Sequence, residues 1–450
     1  MNTALKSIEA RPLVDYYSRL TSFAFESTPS FDWQPLPMPA SMPRGLEQLL
    51  GTAKVKWTEM PHGAPISAVL DLRQDPKTNT TKTFASAMIV ARAVNHIWAT
   101  GERITILTPS SANKATALRS SVLTAIELGL IDSNSLSVVS VVPESSKNKL
   151  RRSRLTTDRR LRSLNPLLVL PGQFPECVKP LVAEAAQQLA SSTTPLPDGE
   201  RLWLTLKLEN YAAADAGRAL FEYEVSPPSR RRLHAHSVSS AYGLLGYAHG
   251  RDLLRAENQP GSEIRPGFLL VQHLHTSDMV QDLVGSRAPA YERDVASGAY
   301  RQDADPHWPN EVDDPDENME TTFYTQRPVT SAAMTSLIRE SFGSGVVVSR
   351  RECLEEYAKA RIALANADID LPENAEDLRE WATVMCWTGM SKARQRGLIP
   401  TESDAILHAS GSYALGDYET VPENERDVVT DATQVVEAVF RVIEERGRVT

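Results

Sequence analysis

Cysteine is scarce. Three thiols, Cys177, Cys353 and Cys386, lie far apart in 450 residues. That odd, dispersed set argues against a disulfide framework and has no metal-finger spacing, so three small buried hydrophobes are expected. No apolar run reaches about 18 residues, which excludes a membrane-spanning helix. The start, Met1-Asn2-Thr3-Ala4-Leu5-Lys6, lacks an apolar signal core, and a cytoplasmic setting is expected. Positive charge is in deficit: 48 Lys and Arg against 57 Asp and Glu give a formal net charge of −9. General nucleic-acid binding is therefore not expected. No internal repeat is visible.

What is present is ordinary globular composition, 41% hydrophobic and 23% charged, long enough for two domains or one two-lobed body. The charge is uneven. Arg151, Arg152, Arg154, Arg159, Arg160 and Arg162 crowd one segment, and Arg230, Arg231 and Arg232 another. Residues 303–317 are strongly acidic. Such clusters are either solvated surface or, for the arginines, a meeting place for sulfate, phosphate or an acidic carrier protein.

The first 65 residues read as an arm, with Pro35, Pro37, Pro39 and Pro43 holding part of it extended. From Ile66 strands and helices alternate. Ile66 to Leu72 reads as a strand and Lys82 to Thr100 as a helix, with Ala87, Val90, Ala91, Val94 and Trp98 at helical spacing. The rhythm continues to about Leu208, breaks over 211–330, and returns near Ser331. This predicts an α/β fold of two lobes, 66–165 and 166–450, with a histidine-rich insertion at 211–330 and ligands bound beyond the carboxyl ends of parallel strands.

Four segments carry chemistry. Asn79-Thr80-Thr81-Lys82-Thr83-Phe84-Ala85-Ser86 opens a helix. Thr108-Pro109-Ser110-Ser111-Ala112-Asn113-Lys114 ends a strand in small hydroxyl residues, where a helix N-terminus offers free N–H groups to an anion. Leu170-Pro171-Gly172-Gln173-Phe174-Pro175-Glu176 follows another strand. Ala405-Ile406-Leu407-His408-Ala409-Ser410-Gly411-Ser412-Tyr413 is the last. In this order they resemble the ligand loops of the fold-type II pyridoxal phosphate (PLP) enzymes, the threonine synthase and tryptophan synthase β group. The resemblance covers about 65–210 and 330–415. It implies that the first segment, similar to Asn-Pro-Thr-Gly-Ser-Phe-Lys-Asp, should carry the cofactor's lysine. It also implies that Ser110, Ser111, Asn113 and Lys114 bind a substrate carboxylate and the cofactor's ring oxygen. The third segment would cradle the phosphate, and Ser410, with Ser412 and Tyr413 beside it, would meet the pyridine nitrogen.

Two departures follow. Gap-free alignment puts Ala85 where the family has its lysine. The third segment holds one glycine, a proline without an N–H and Glu176 of the wrong sign, so the cradle reads as dismantled. A site without cofactor is therefore expected. The alternative is a shifted register in which Lys82 carries PLP.

Five of nine histidines fall between Arg230 and Thr276. His234 with His236, and His273 with His275, each share a strand face. They read as structural groups, as four zinc ligands, or as acid and base, since histidine titrates near neutrality. Ser237 to Gly243, a hydroxyl-rich helix start including Tyr242, together with Arg231 and Arg232, is a candidate for holding a leaving anion. Glu209-Asn210-Tyr211 is a further polar candidate.

The whole chain also resembles degenerate threonine-synthase-like proteins of actinobacterial natural-product pathways. That resemblance implies closure of an aziridine as in azinomycin-type biosynthesis, with sulfate lost from an amino-acid chain held on an acidic carrier protein. His234, His236, His273, His275 or Lys82 would then be the base. A true PLP lyase and a non-catalytic scaffold for a small partner subunit are the other readings left open.

Overall fold

A computed structural model describes residues 6–21, 33–61, 66–172, 174–191, 196–205, 209–400 and 404–448. Its strands, in chain order, are β1 (Ser7–Ala10), β2 (Val55–Glu59), β3 (Ala68–Asp71), β4 (Arg103–Pro109) and β5 (Leu136–Pro143). Then come β6 (Leu167–Leu170), β7 (Glu200–Leu204), β8 (Arg232–Ser237), β9 (Gly267–His273) and β10 (Glu292–Arg293). The last are β11 (Tyr300–Arg301), β12 (Glu311–Val312), β13 (Gly343–Val348), β14 (Asp404–Ala409) and β15 (Asp427–Val428).

Two sheets carry the body. The larger has seven strands in the order β1-β2-β3-β14-β8-β9-β13, parallel from β3 onward. The smaller has five in the order β15-β6-β5-β4-β7, all parallel. Every residue of β5 is buried, as a parallel strand covered on both faces requires. Helix Lys82–Thr100 buries thirteen residues and is stopped by Gly101 in the left-handed region (φ 72°).

The α/β, two-lobed, parallel-sheet class is the one expected. The lobes, however, are interleaved along the chain. β3 pairs in the larger sheet, the chain then builds β4–β7 of the smaller, and β15 with helix Ala432–Gly447 returns to the smaller at the end. The insertion also narrows. Helix Glu209–Val225, β8, helix Tyr242–Ala256, β9 and helix Asp278–Val284 are regular parts of the larger lobe. Only residues 285–330 are irregular, with β10–β12 as a small antiparallel sheet. Cys353 and Cys386 are buried as expected, but Cys177 is exposed.

Helices Glu209–Val225 and Tyr242–Ala256 pack backbone to backbone through Gly246 and Gly250. A Cβ on Gly250 would lie 2.3 Å from Ala216 O and 2.9 Å from the Ala219 Cβ. Gly250→Val is expected to cost about 3 kcal/mol through overpacking, seen as a lower denaturant midpoint at unchanged slope. Gly416→Ala, where a Cβ meets nothing within 4 Å, should leave the midpoint unmoved.

Candidate active site

The carboxyl ends of β14 and β8 in one sheet and β4 in the other face one cleft of about 150 Å³. Its floor begins at Lys82. Thr81 N donates to Ser410 O (2.8 Å), and the hydroxyls of Thr78 and Thr83 bond each other at 2.6 Å, so the helix start is tied to the end of β14. Lys82 lines the cleft, and its Nζ has no hydrogen bond or ion pair among the described residues. Burial lowers its pKa; Asp215 opposes that shift and Arg218 adds to it. Ala85, one turn on, offers the cleft only a methyl group.

The Ser110 loop forms the opposite wall. The Ser110 hydroxyl accepts from Ala112 N (3.2 Å) and Ala115 N (2.7 Å), so it serves the helix that follows. Ala112 sits at φ 89°, where glycine would be relaxed, a strain of about 1–3 kcal/mol. Asn113 Nδ2 donates to Glu380 Oε2 (2.8 Å), and Asn113 Oδ1 accepts from Tyr413 OH (2.7 Å). Ser111 and Lys114 also line the cleft. Tyr413 and Ser412 do not. Tyr413 braces Asn113 from behind, and Ser412 is buried in backbone contacts with Asn79 and Arg73.

The third wall is the turn from β8 into helix Tyr242–Ala256. Ser237 through Gly243 line the cleft, with Tyr242 stacked on Tyr211 at 5.0 Å. Arg218 lies under this turn: a Cβ on Gly243 would meet its Nη1 at 2.8 Å. Arg218 pairs with Asp215 and donates to the Thr81 hydroxyl. The turn therefore joins helix N–H groups, serine hydroxyls and a guanidinium, a set suited to an anion. Ser410 completes the cleft, and its hydroxyl has no hydrogen bond among the described residues.

This geometry corrects several expectations. The segment 170–176 is not at the cleft; it follows β6, which has only β15 beyond it at the sheet edge, and Gln173 lies outside the described residues. The strand-to-helix turn that does line the cleft is 237–243. Arg231 and Arg232 sit at the opposite, amino end of β8, roughly 16 Å of strand from Ser237. Arg232 pairs with Glu222 (2.9 Å) and Arg231 lies over Phe342 (5.6 Å). Most of the Arg151–Arg162 cluster is engaged by groups of its own chain, such as Arg152 with Glu425 (2.5 Å) and Arg154 with Glu127 (3.4 Å).

Of the four candidate histidines, only His236 lines the cleft. Burial and then the Arg218 charge push its pKa down to about 3. His234 is buried behind it, bonded to His408 (3.0 Å) and Tyr247 (3.1 Å), with its pKa lowered by burial to about 4. His273 bonds Thr276 (3.0 Å) away from the cleft, and burial lowers it to about 4. His275 stacks on His273 at 6.4 Å and is equally remote.

Other cleft residues escaped the sequence reading: Lys179, Asp215, Arg218, Tyr324 and Glu380. Asp215 and Arg218 had a signal, an ion pair at i, i+3 inside an alanine-rich helix. Glu380 is buried between Asn113 and Lys149 (3.3 Å); burial and then Glu320 raise its pKa. Tyr211 lines the cleft as its segment promised, whereas the side chains of Glu209 and Asn210 lie outside the described residues.

A family model described as a family of unknown function (DUF6002) matches residues 10–443. The chain belongs to that family. No curated protein matches it. Solved structures that it resembles include PLP-bound threonine synthase from Brucella melitensis, at 14% identity over 91% of this chain and 85% of that one, with a TM-score of 0.48. Another is an L-serine ammonia-lyase from Rhizomucor miehei, at 9% identity over 80% and 95%, TM-score 0.47. A third is threonine deaminase isoform 2 from Solanum lycopersicum, at 11% identity over 92% and 93%, TM-score 0.44. The expectation of a site without cofactor is overturned here. Similar structures include this PLP-bound enzyme and a pyridoxal 5'-phosphate-dependent aspartate racemase, and the segment that read as a dismantled cradle is not the one at the cleft. Among the described residues no helix is long and apolar enough to cross a membrane.

Proposed function

We propose that this chain is a PLP-dependent enzyme of lyase or synthase type acting on an amino acid, with Lys82 as the cofactor's lysine. The supporting observation is that an amine with no hydrogen bond among the described residues shares one cleft with a helix start suited to an anion. PLP carries an aldehyde, a phosphate and a ring nitrogen. The donor set fits it: Lys82 Nζ for the aldehyde, residues 239–243 with Arg218 for the phosphate, and the Ser410 hydroxyl for the nitrogen. When bound, PLP supplies an electron sink for negative charge at the substrate's α-carbon.

The chain's own groups do the rest. A lowered Lys82 pKa raises the neutral share of the amine, the form that attacks a carbonyl carbon and takes up a proton. Ser111 and the N–H groups at the start of helix Asn113–Glu127 bind the substrate carboxylate. The Tyr211, Tyr242 and Tyr324 phenols, all raised by burial, stay protonated as donors. Sulfate loss with aziridine closure was tied to a site without cofactor, and it is set aside with that site.

Incubation with PLP should produce a visible absorbance band. Borohydride should bleach it and leave the pyridoxyl group on the Lys82 peptide in mass spectrometry. Absence of a band, or labelling at Lys114 or Lys179 instead, overturns this reading.

A further inference from the structure

Three amines, not one, meet in the cleft: Lys82, Lys114 and Lys179. Lys114 leaves the first turn of helix Asn113–Glu127. Its Nζ donates to Thr205 Oγ1 (3.0 Å) and Thr205 O (3.3 Å) and lies 5.5 Å from the centre of the Tyr211 ring. Lys179 leaves the first turn of helix Val178–Ala190. It donates to Thr325 Oγ1 (2.8 Å) and lies 5.1 Å from the centre of the Tyr324 ring. Both are part-buried, and neither forms an ion pair among the described residues.

The two cleft carboxylates are engaged elsewhere, Asp215 with Arg218 and Glu380 with Lys149 and Asn113. Burial lowers the Lys114 pKa to about 7, and the Lys179 charge is next among the causes. Burial, then Lys82, lowers Lys179 to about 8. Two part-buried amines thus face the cleft beside Lys82, with hydroxyl and carbonyl oxygens and ring faces, and no carboxylate among the described residues, as their bonded partners. A bound anion would stabilise the charged forms of such a pair. The turn at 237–243 belongs to the larger lobe, while both lysines stand on the smaller lobe's wall, so one cofactor phosphate does not satisfy both.

We infer that Lys114 and Lys179 form a subsite for a second anionic group on the substrate, a phosphate, sulfate or carboxylate borne by its side chain. The inference rests on the amino-acid reading above and narrows the substrate to an amino acid with two acidic groups. Ser111 and the Asn113 helix take one, and the lysine pair takes the other.

The test is calorimetric titration of the purified full chain with O-phospho-L-serine, L-serine and inorganic phosphate. O-phospho-L-serine should bind at least ten-fold tighter than L-serine. A Lys114→Met plus Lys179→Met variant should lose that preference and keep its L-serine affinity. If the double variant does not fold, Lys179→Gln alone decides, and an unchanged preference overturns the subsite. Equal affinities in the unmodified chain overturn it too, as does inorganic phosphate binding as tightly as O-phospho-L-serine, which would mark a site for the free anion. A preference that holds without any cofactor band at Lys82 supports the subsite independently of the cofactor. A band with no preference removes the subsite alone.

Discussion

Lys82→Ala should give a well-folded protein that never takes up PLP. The side chain makes no hydrogen bond among the described residues, and its burial penalty, with the Arg218 charge added, outweighs the attraction of Asp215. The melting temperature without cofactor is therefore expected to stay level or rise. What disappears is the response to cofactor. At free PLP of 100 times its Kd, the unmodified chain gains about 2.7 kcal/mol by mass action, and the variant gains nothing. Turnover of a β-substituted amino acid should fall at least about 10³-fold, since the proposed role of Lys82 is both the cofactor's anchor and a proton acceptor. A variant that still warms in step with added PLP would remove Lys82 from the site.

Arg218→Ala should be the most damaging substitution to stability in the cleft. It leaves the buried Asp215 carboxylate without its ion-pair partner, with only the charge of Lys82 nearby, a loss of about 3–5 kcal/mol. It also frees the Thr81 hydroxyl next to Lys82 and the turn at Gly243. Burial already raises the Asp215 pKa against the pull of Arg218, and removing Arg218 raises it further. A carboxyl whose folded pKa lies above its unfolded value favours the folded state at low pH and loses that advantage as pH climbs through the folded value. The cost should therefore be largest near neutrality and shrink in mild acid. Denaturant midpoints at several pH values read this directly. An Asp215→Ala, Arg218→Ala double variant should lose less than the sum of the two single losses. A pH-independent penalty would mean that Asp215 stays ionised or was never the partner that mattered.

Much of the cleft was readable before any coordinates. Thr81-Lys82, Ser110-Ser111-Asn113 and Ser410 meet because parallel strands deliver all their carboxyl ends to one edge, and the turn chemistry there is local. That the turn at 237–243, and not the segment 170–176, lines the cleft was hidden for a physical reason. The turn at 237–243 has one glycine, and β8 leading into it reads Arg-Leu-His-Ala-His-Ser, unlike an apolar strand. Its imidazoles are tolerated because His408 on β14 and Tyr247 on the adjoining helix bond His234, partners 174 and 13 residues away that no local pattern reveals. The same hidden burial lowers the pKa of His234 and His236. Arg231 and Arg232 were sought at the cleft because they are close to Ser237 in sequence, but a strand carries its two ends apart. Lys179 was overlooked because it follows a loop that is itself remote and enters the cleft only as a helix begins.

The return of the last helix has a consequence for how the molecule is made. Val435, Val439 and Val442 pack against Val139 and Leu168, and Arg446 is buried against Glu200 (2.5 Å) and the Ile104 carbonyl (2.9 Å). The smaller lobe, begun near residue 103, thus lacks one side of its core until the final turns emerge from the ribosome. Its early strands must wait through some three hundred residues of translation, roughly 15–60 s at about 5–20 residues per second.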